Sequence, residues 1–364
     1  MFVFIIYLIV LFKNLGMKKI IANLFLCGLI LLSVSSSAQQ RPYYTQYILN
    51  NYIINPAVAG IENYWDAKVS HRMQWVGLTD APVTTYFSIH GPLKRSSYDV
   101  ETATSFHAGG SNPRGNAYWQ DYQRPENHTG VGFAVIDDHT GPLNTINAYG
   151  SIAYHLGISP KTNLSLGLSA GFSQVTLDAS KLHFNPGQAD DQVDNSVQGS
   201  GVLNTVRPDI SAGLWLYSKD YFIGLAAQQI VPVKVIYTTK TNTVTTTGQL
   251  VPHMFFSAGY RFSAGEDFTI LPSTQIRYIN PLPIGVDLNV KVQYQDVFWA
   301  GATYRVQDGF AGMLGLNING VMTIGYSYDY TTSELNQVSH GSHEIVLGFL
   351  INNKYGDWCP RNLW

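Results

Sequence analysis

Three short clusters in the sequence carry side chains able to do chemistry. Asp137-Asp138-His139 has the residue types of an acid/base pair or a metal site, His343-Glu344 sets a ligand beside a carboxylate, and Asp190, Asp191 and Asp194 could gather oxygens around calcium. Each fails on spacing. Neighbouring residues of a strand point to opposite faces, so 137–139 do not converge, and with Gly141-Pro142 directly behind them the three read as a hairpin loop. His343-Glu344 lacks the second histidine of a helical zinc motif. The aspartates stand in no complete calcium loop and read as a solvated acidic stretch. A barrel lipase or protease would need a serine held against a base and an orienting third group. Ser70, Ser88, His90 and His155 supply the types, but no nucleophile motif frames them. No enzyme, metal or cofactor is expected.

Composition explains what the chain is built for instead. Soluble domains carry roughly 25% charged residues. This chain of 364 residues carries 13%, with 23 Tyr and 33 Gly, so part of its surface meets something other than water. A net charge of -2 without a basic stripe argues against nucleic acid as a partner. From Met17 the sequence reads as a secretory signal: Lys18-Lys19, an apolar run over 20–32, and Ser36-Ser37-Ala38 as the cleavage site before Gln39. The apolar stretch 1–12 is too short to span a bilayer, which places the start of translation at Met17; the other reading is an uncleaved helical anchor. Leu26 ahead of Cys27 argues against lipidation, and Cys359 alone cannot form an internal disulfide in the exported chain.

Behind Ala38 the recurring pattern is alternation over about ten residues, the period of a strand with two different faces. Over 285–294, Val286, Leu288, Val290, Val292 and Tyr294 oppose Asp287, Asn289, Lys291 and Gln293. The segments 65–75, 163–173 and 322–330 repeat it, and aromatics gather at strand ends, as at Trp65, Trp75, Tyr294, Tyr304 and Tyr330. A bilayer forbids open sheet edges, so such strands must close. The expected fold is all-β: one transmembrane antiparallel barrel of about 14 strands, with strands near Trp65, Val83, Val131, Thr145, Asn163, Pro208, Tyr221, His253, Phe268, Gly285, Val297, Phe310, Val321 and Ser342. Lys68, Arg72, Arg261, Arg277, Asp287, Lys291, Arg305 and Asp329 then face the lumen, either lining a solute pore or pairing off to fill it. Short connectors are expected at 218–220, 295–296, 308–309 and 319–320, and the Thr-rich 238–247 reads as a loop.

Specific residues add to the pattern. Tyr44-Thr45-Gln46-Tyr47, Asn50 and Asn55-Pro56-Ala57-Val58-Ala59-Gly60 are followed by Arg72-Met73-Gln74-Trp75-Val76-Gly77, Ala81-Pro82 and Ser88-Ile89-His90-Gly91-Pro92-Leu93. Later come Gly130-Val131-Gly132, Ala153-Tyr154-His155, Gly325-Tyr326-Ser327-Tyr328-Asp329, Gly341-Ser342-His343-Glu344 and Cys359-Pro360-Arg361. In order and spacing they resemble the PorP/SprF family of type IX secretion system proteins of Bacteroidota. The resemblance implies a non-enzymatic outer-membrane barrel that supports secretion or surface attachment of cargo such as adhesins, in secretion or gliding motility. Its implied partners are outer-membrane lipid, other type IX components and secreted cargo. A general porin or solute channel is the alternative.

The layout that follows is an extension and signal over 1–38, a signature segment or plug over 39–64, the barrel over 65–350 and a tail over 351–364. The family signature residues Gln46, Tyr47, Asn50, Asn55, Pro56, Ala57, Gly60, Gln74, Trp75, Gly77, Pro82 and His90 are expected either to anchor that plug or to recognise a partner. Asn55-Pro56 reads as a turn leading the chain into the first strand. The insert 94–128 is longer than the family's usual turn; counted from a periplasmic N-terminus, it follows the second strand and is expected in the periplasm, where Tyr98, Phe106, Tyr118, Trp119, Tyr122, Arg114 and Arg124 could dock a partner; the other reading is a Gly- and Asn-rich insert without one.

Overall fold

The computed structural model describes residues 45–352 apart from 46, 95–126, 179–180, 182–201, 232–233, 239–243, 250, 265–266, 281, 296, 319–320 and 333. Its strands are β1 (Trp65–Met73), β2 (Val83–Pro92), β3 (His128–Thr140), β4 (Leu143–Ser159), β5 (Thr162–Asp178), β6 (Val202–Ser218), β7 (Tyr221–Gln228), β8 (Lys234–Thr238), β9 (Val244–Gln249), β10 (His253–Tyr260), β11 (Phe262–Ala264), β12 (Phe268–Ile279), β13 (Gly285–Tyr294), β14 (Phe298–Arg305), β15 (Gly309–Ile318), β16 (Met322–Thr331) and β17 (Ser342–Ile351). All but β8, β9 and β11 form a closed antiparallel barrel of 14 strands, sealed where β17 pairs β1 and where β10 pairs β12. β11 extends the sheet along β12, and β8 with β9 makes a separate hairpin.

Two chemically distinct faces hold the strands in register. On β13, Leu288 and Val290 are 49% and 44% exposed, whereas Asn289 between them is 2% exposed and donates through Nδ2 to Thr303 Oγ1 at 2.6 Å. A slip of one residue would put Asn289 and Lys291 into lipid and Leu288 into the lumen, so the register is strongly specified. Aromatic rings mark both edges of the apolar belt. Tyr304 and Phe310 pair at 4.9 Å near one mouth, and Phe268 with Tyr294 (4.9 Å) and Tyr260 with Phe262 (4.7 Å) near the other.

The two mouths differ. One, the turn mouth, holds the short connectors 160–161, 219–220, 295–297 and 319–321, together with the start of β1 and the end of β17. The insert 94–128 joins β2 to β3 there; its central part lies outside the described residues. The other, the loop mouth, carries 74–82, 229–252 and 332–341. Two expectations need correction. Asp137, Asp138 and His139 are strand residues of β3 rather than a loop, with Asp138 turned inward to accept from Thr84 Oγ1 at 2.6 Å. The Thr-rich stretch is not all loop, because Val244, Thr245 and Thr246 pair with β8; β-branched threonines suit a pleated ladder even without apolar alternation.

Leu288→Arg or Val290→Arg is expected to cost about 2–4 kcal/mol by placing a charge among acyl chains. Asn289→Ala should cost about 1 kcal/mol, the worth of one hydrogen bond. Urea unfolding in lipid vesicles measures all three, and equal costs on both faces would overturn the assignment.

Candidate functional site

The lumen is occupied by the chain's own N-terminal segment. Three short 3-10 turns, Tyr47–Leu49, Asn51–Ile53 and Pro56–Val58, run as a strap from the loop mouth to the turn mouth before β1 begins at Trp65. Ile48, Leu49, Tyr52, Ile53, Val58 and Ile61 are buried within it. Each is worth about 1.5–3 kcal/mol relative to exposure to water. Pro56 explains the last turn. It forces Asn55 into an extended conformation (φ -132°, ψ 112°), and from there Asn55 Oδ1 caps the turn by accepting from Ala57 N at 2.9 Å. The Asn55-Pro56 turn thus lies inside the barrel, well ahead of the first strand.

At the loop mouth the strap ends in a balanced ionic knot. Arg72 (β1) donates to Asp329 (β16) at 2.6 Å, to Glu344 (β17) at 3.2 Å and to Thr45 Oγ1 at 2.7 Å. Arg305 (β14) reaches the same Asp329 oxygen at 3.1 Å. Thr45 closes the knot, its N–H donating to Glu344 at 2.9 Å and its hydroxyl to Asp329 at 2.6 Å. Two guanidinium groups face two carboxylates, so the buried charges cancel and their hydrogen-bonding groups are shared. Arg72 and Glu344 are also direct register partners across the β1–β17 seam.

At the turn mouth three histidines hold Ala59 and Gly60. His155 Nε2 donates to Ala59 O at 2.8 Å while its Nδ1 accepts from the Tyr217 hydroxyl at 2.9 Å, an arrangement fixed because a carbonyl can only accept. His128 stacks on His155 at 4.4 Å and donates to Gly60 O at 2.9 Å. Gly60 N donates to His90 Nδ1 at 3.3 Å. Gly60 itself has φ +74°, and a Cβ there would sit 2.4 Å from Gly130 Cα, so a side chain is excluded twice.

Between the mouths the strap lies on bare wall. A Cβ on Gly213 would stand 1.9 Å from Asn55 Oδ1, and one on Gly167 would stand 2.3 Å from Ala57 N. Asn55 Nδ2 donates to the backbone oxygens of Leu214 (2.9 Å) and Leu225 (3.1 Å), bridging β6 and β7. On the outer side of this same wall lies an apolar hollow of about 830 Å³, lined by Leu168, Leu214, Leu225, Met254 and Phe256.

The sequence-selected residues do not form one site. Tyr47, Asn50, Asn55, Pro56, Ala57 and Gly60 are buried in the strap, Asn50 donating to Ser88 Oγ at 2.8 Å, and His90 touches the strap's end. Gln46 lies outside the described residues. Gln74, Trp75, Gly77 and Pro82 belong instead to the loop-mouth connector, where Gln74 N donates to Pro82 O and Val76 exchanges backbone bonds with the 340–341 segment. Gly77 (φ +103°) abuts His340 there. Among the inward charges, Lys68 bonds Asp66, Arg277 lies 3.7 Å from Asp287, Arg261 lies 3.8 Å from Asp220, and Lys291 sits over Trp299 at 5.5 Å. Ser70 and Ser88 turn to Glu344 and Asn50 rather than to a histidine. Ser165, Gln228 and the glycine seat at 167 and 213 were not singled out from sequence. Their only signal was small or polar character on inward positions of β5, β6 and β7.

A closed antiparallel sheet with an apolar belt between aromatic edges and a polar, filled interior defines a transmembrane β-barrel of the outer-membrane type. The chain belongs to the PorP/SprF family: it matches the family described as type IX secretion system membrane protein PorP/SprF over residues 36–349. Solved outer-membrane proteins of similar build include Omp33 of Acinetobacter baumannii (9% identity, TM-score 0.43, 80% of this chain and 100% of that one). The Pseudomonas putida toluene transporter TodX is another, at 8% identity, TM-score 0.43, and 85% and 93% of the two chains. No curated protein sequence matches the chain.

Removing Arg72 leaves two buried carboxylates facing one guanidinium, with Glu344 stripped of its arginine. Arg72→Ala is expected to cost about 3–5 kcal/mol. Arg72→Lys should recover part of this, since lysine keeps the charge without the two-pronged fork. The temperature at which the folded band shifts on unboiled gels reads the effect, with exposed Lys161→Ala as control. Equal shifts for Arg72→Ala and Lys161→Ala would remove the knot from the account.

Proposed function

We propose that this barrel is a non-catalytic outer-membrane subunit of the type IX secretion system that supports secretion or surface attachment of cargo such as adhesins. The observation that carries the reading is the family match, which spans the strap and nearly all of the barrel. The strap supports it, since Tyr47, Asn50, Asn55, Pro56, Ala57 and Gly60, which the resemblance marks as signature residues, are spent filling the lumen. Deleting the gene should lower cargo at the cell surface several-fold. Unchanged surface cargo in a strain without a second copy would sink the proposal.

A second reading, a solute channel, draws on the inward cations at 68, 72, 261, 277, 291 and 305. Asp66, Asp329, Glu344, Asp220 and Asp287 lie against five of these and oppose an anion-preferring bore. Planar-bilayer recording separates the readings. The secretion role expects no porin-like steps from the intact chain, and large stable steps would favour the channel.

The insert 94–128 is assigned to the periplasmic side as a docking element for another secretion component. Its two ends lie at the turn mouth, among connectors that are otherwise short, as periplasmic turns are. Removing 97–124 should reduce recovery of partner components with the barrel while leaving its folded band in place. Full recovery would remove the docking role, and labelling of a cysteine at Ser111 from outside intact cells would refute the placement.

A further inference from the structure

The strands that seat the strap also shape the outer wall and the rim below it. Across β5, β6 and β7 the outward residues stand in rows, Leu164 with Leu216 and Ile223, then Leu166 with Leu214 and Leu225. The second row enters the apolar hollow of about 830 Å³, a size within the roughly 300–1,000 Å³ of small-molecule sites. These strands reach the turn mouth four residues further on, at Thr162, Ser218 and Tyr221. At about 3.3 Å per residue and a tilt of about 40°, the hollow opens about 10 Å beneath that rim, inside the roughly 15 Å of hydrocarbon that one leaflet supplies. At the rim itself three cations meet. Thr162 and Ser218 are register partners, so Lys161 and Lys219 leave the sheet side by side, with Lys161 exposed. Arg261 follows β10, and its N–H donates to Asp220 O at 2.7 Å. The Asp220 carboxylate lies 3.9 Å from the Lys219 ammonium and 3.8 Å from the Arg261 guanidinium. Partial burial, opposed by Asp220 and reinforced by Lys161 and Arg261, holds the Lys219 ammonium below its ordinary pKa. Asp267, beyond β11, accepts from Gln295 Nε2 at 3.0 Å. One carboxylate against three cations leaves the cluster positive among the described residues.

We propose that the outer wall over β5, β6, β7 and β10 is a binding site for one anionic phospholipid, whose phosphate lies between Lys161 and Lys219 with Arg261 behind and whose acyl chain lies in the hollow. A hollow facing the bilayer is reached by acyl chains and not by water, so lipid is its natural occupant. Burial of a chain there gains packing contacts, since one apolar surface merely replaces another. Selection comes from the rim, where a cationic cluster at the headgroup level attracts anionic lipid and a zwitterionic headgroup gains less. The row of Leu164, Leu216 and Ile223 joins the two parts with unbroken apolar surface. The site rests on the membrane location of the barrel and not on the secretion role.

Native mass spectrometry of the purified full chain, mixed with equimolar phosphatidylglycerol and phosphatidylcholine of the same acyl chains, tests the site. The barrel should retain one phosphatidylglycerol, several-fold in preference to phosphatidylcholine. Lys161→Ala combined with Lys219→Ala should bring the two lipids to near-equal retention. Ala212→Phe, which fills the hollow from a lipid-facing position, should lower retention of both. Should Ala212→Phe weaken the folded band on unboiled gels, Ala227→Leu makes the same test. Equal retention of the two lipids by the unaltered barrel, or an unchanged preference in the double lysine variant, overturns the proposal. Retention that survives filling of the hollow overturns the acyl-chain seat. Displacement of phosphatidylglycerol by inorganic phosphate would show that a bare phosphate is recognised, and overturns the lipid site as well.

Discussion

Irregular backbone inside a barrel has no neighbouring strand to complete its hydrogen bonds, and in a bilayer no bulk solvent replaces one. The strap meets this constraint by borrowing from the inner wall at nearly every step. Glu344 takes the Thr45 N–H, Gln228 donates to the carbonyls of Ile53 and Ile54, Ser165 donates to Ala57 O, His155 to Ala59 O, and Gly60 is bonded at both N–H and C=O. These partners come from different strands, so the strap is specified by the closed barrel and not by any one element. Ser165, Gln228, His90, His128 and His155 are thereby accounted for as part of the hydrogen-bonding complement of a single peptide.

The ionic knot joins that complement to closure of the sheet. Arg72 and Glu344 face each other across the seam between first and last strands, and Thr45 bonds to both. Neither arginine nor carboxylate is well placed in a half-formed barrel, because a buried charge without its partner costs several kcal/mol. The same four charges are satisfied together only when the seam is shut and the strap is in place.

The strands were legible from sequence because the two faces of each meet different solvents, and alternation of Val286 to Tyr294 with Asp287 to Gln293 encodes that difference directly. The closed count and the strand positions follow from the same signal. The strap was not legible in this way: it has no period, its turns are short, and its partners lie from residue 72 to residue 344. Only the resemblance marked its residues as special, and the resemblance did not separate the strap from the loop-mouth group of Gln74, Trp75, Gly77 and Pro82. The β8–β9 hairpin escaped for a different reason. Its threonines carry strand propensity without an apolar face to announce it.

Side-chain volume on the wall shows how these demands coincide. The inner face is stripped to Gly167 and Gly213 beneath Asn55 and Ala57, because a single methyl would collide with the strap. Ala212 and Ala227, register partners on β6 and β7, border the hollow on the outer face of the same wall. The barrel is therefore thin where the strap is most tightly seated, one backbone layer separating the signature Asn55 from the acyl chains. Asn55 compensates by tying β6 to β7 through Leu214 O and Leu225 O. A signature residue here stiffens the wall against which it is held, so its type is constrained by the sheet as well as by the strap.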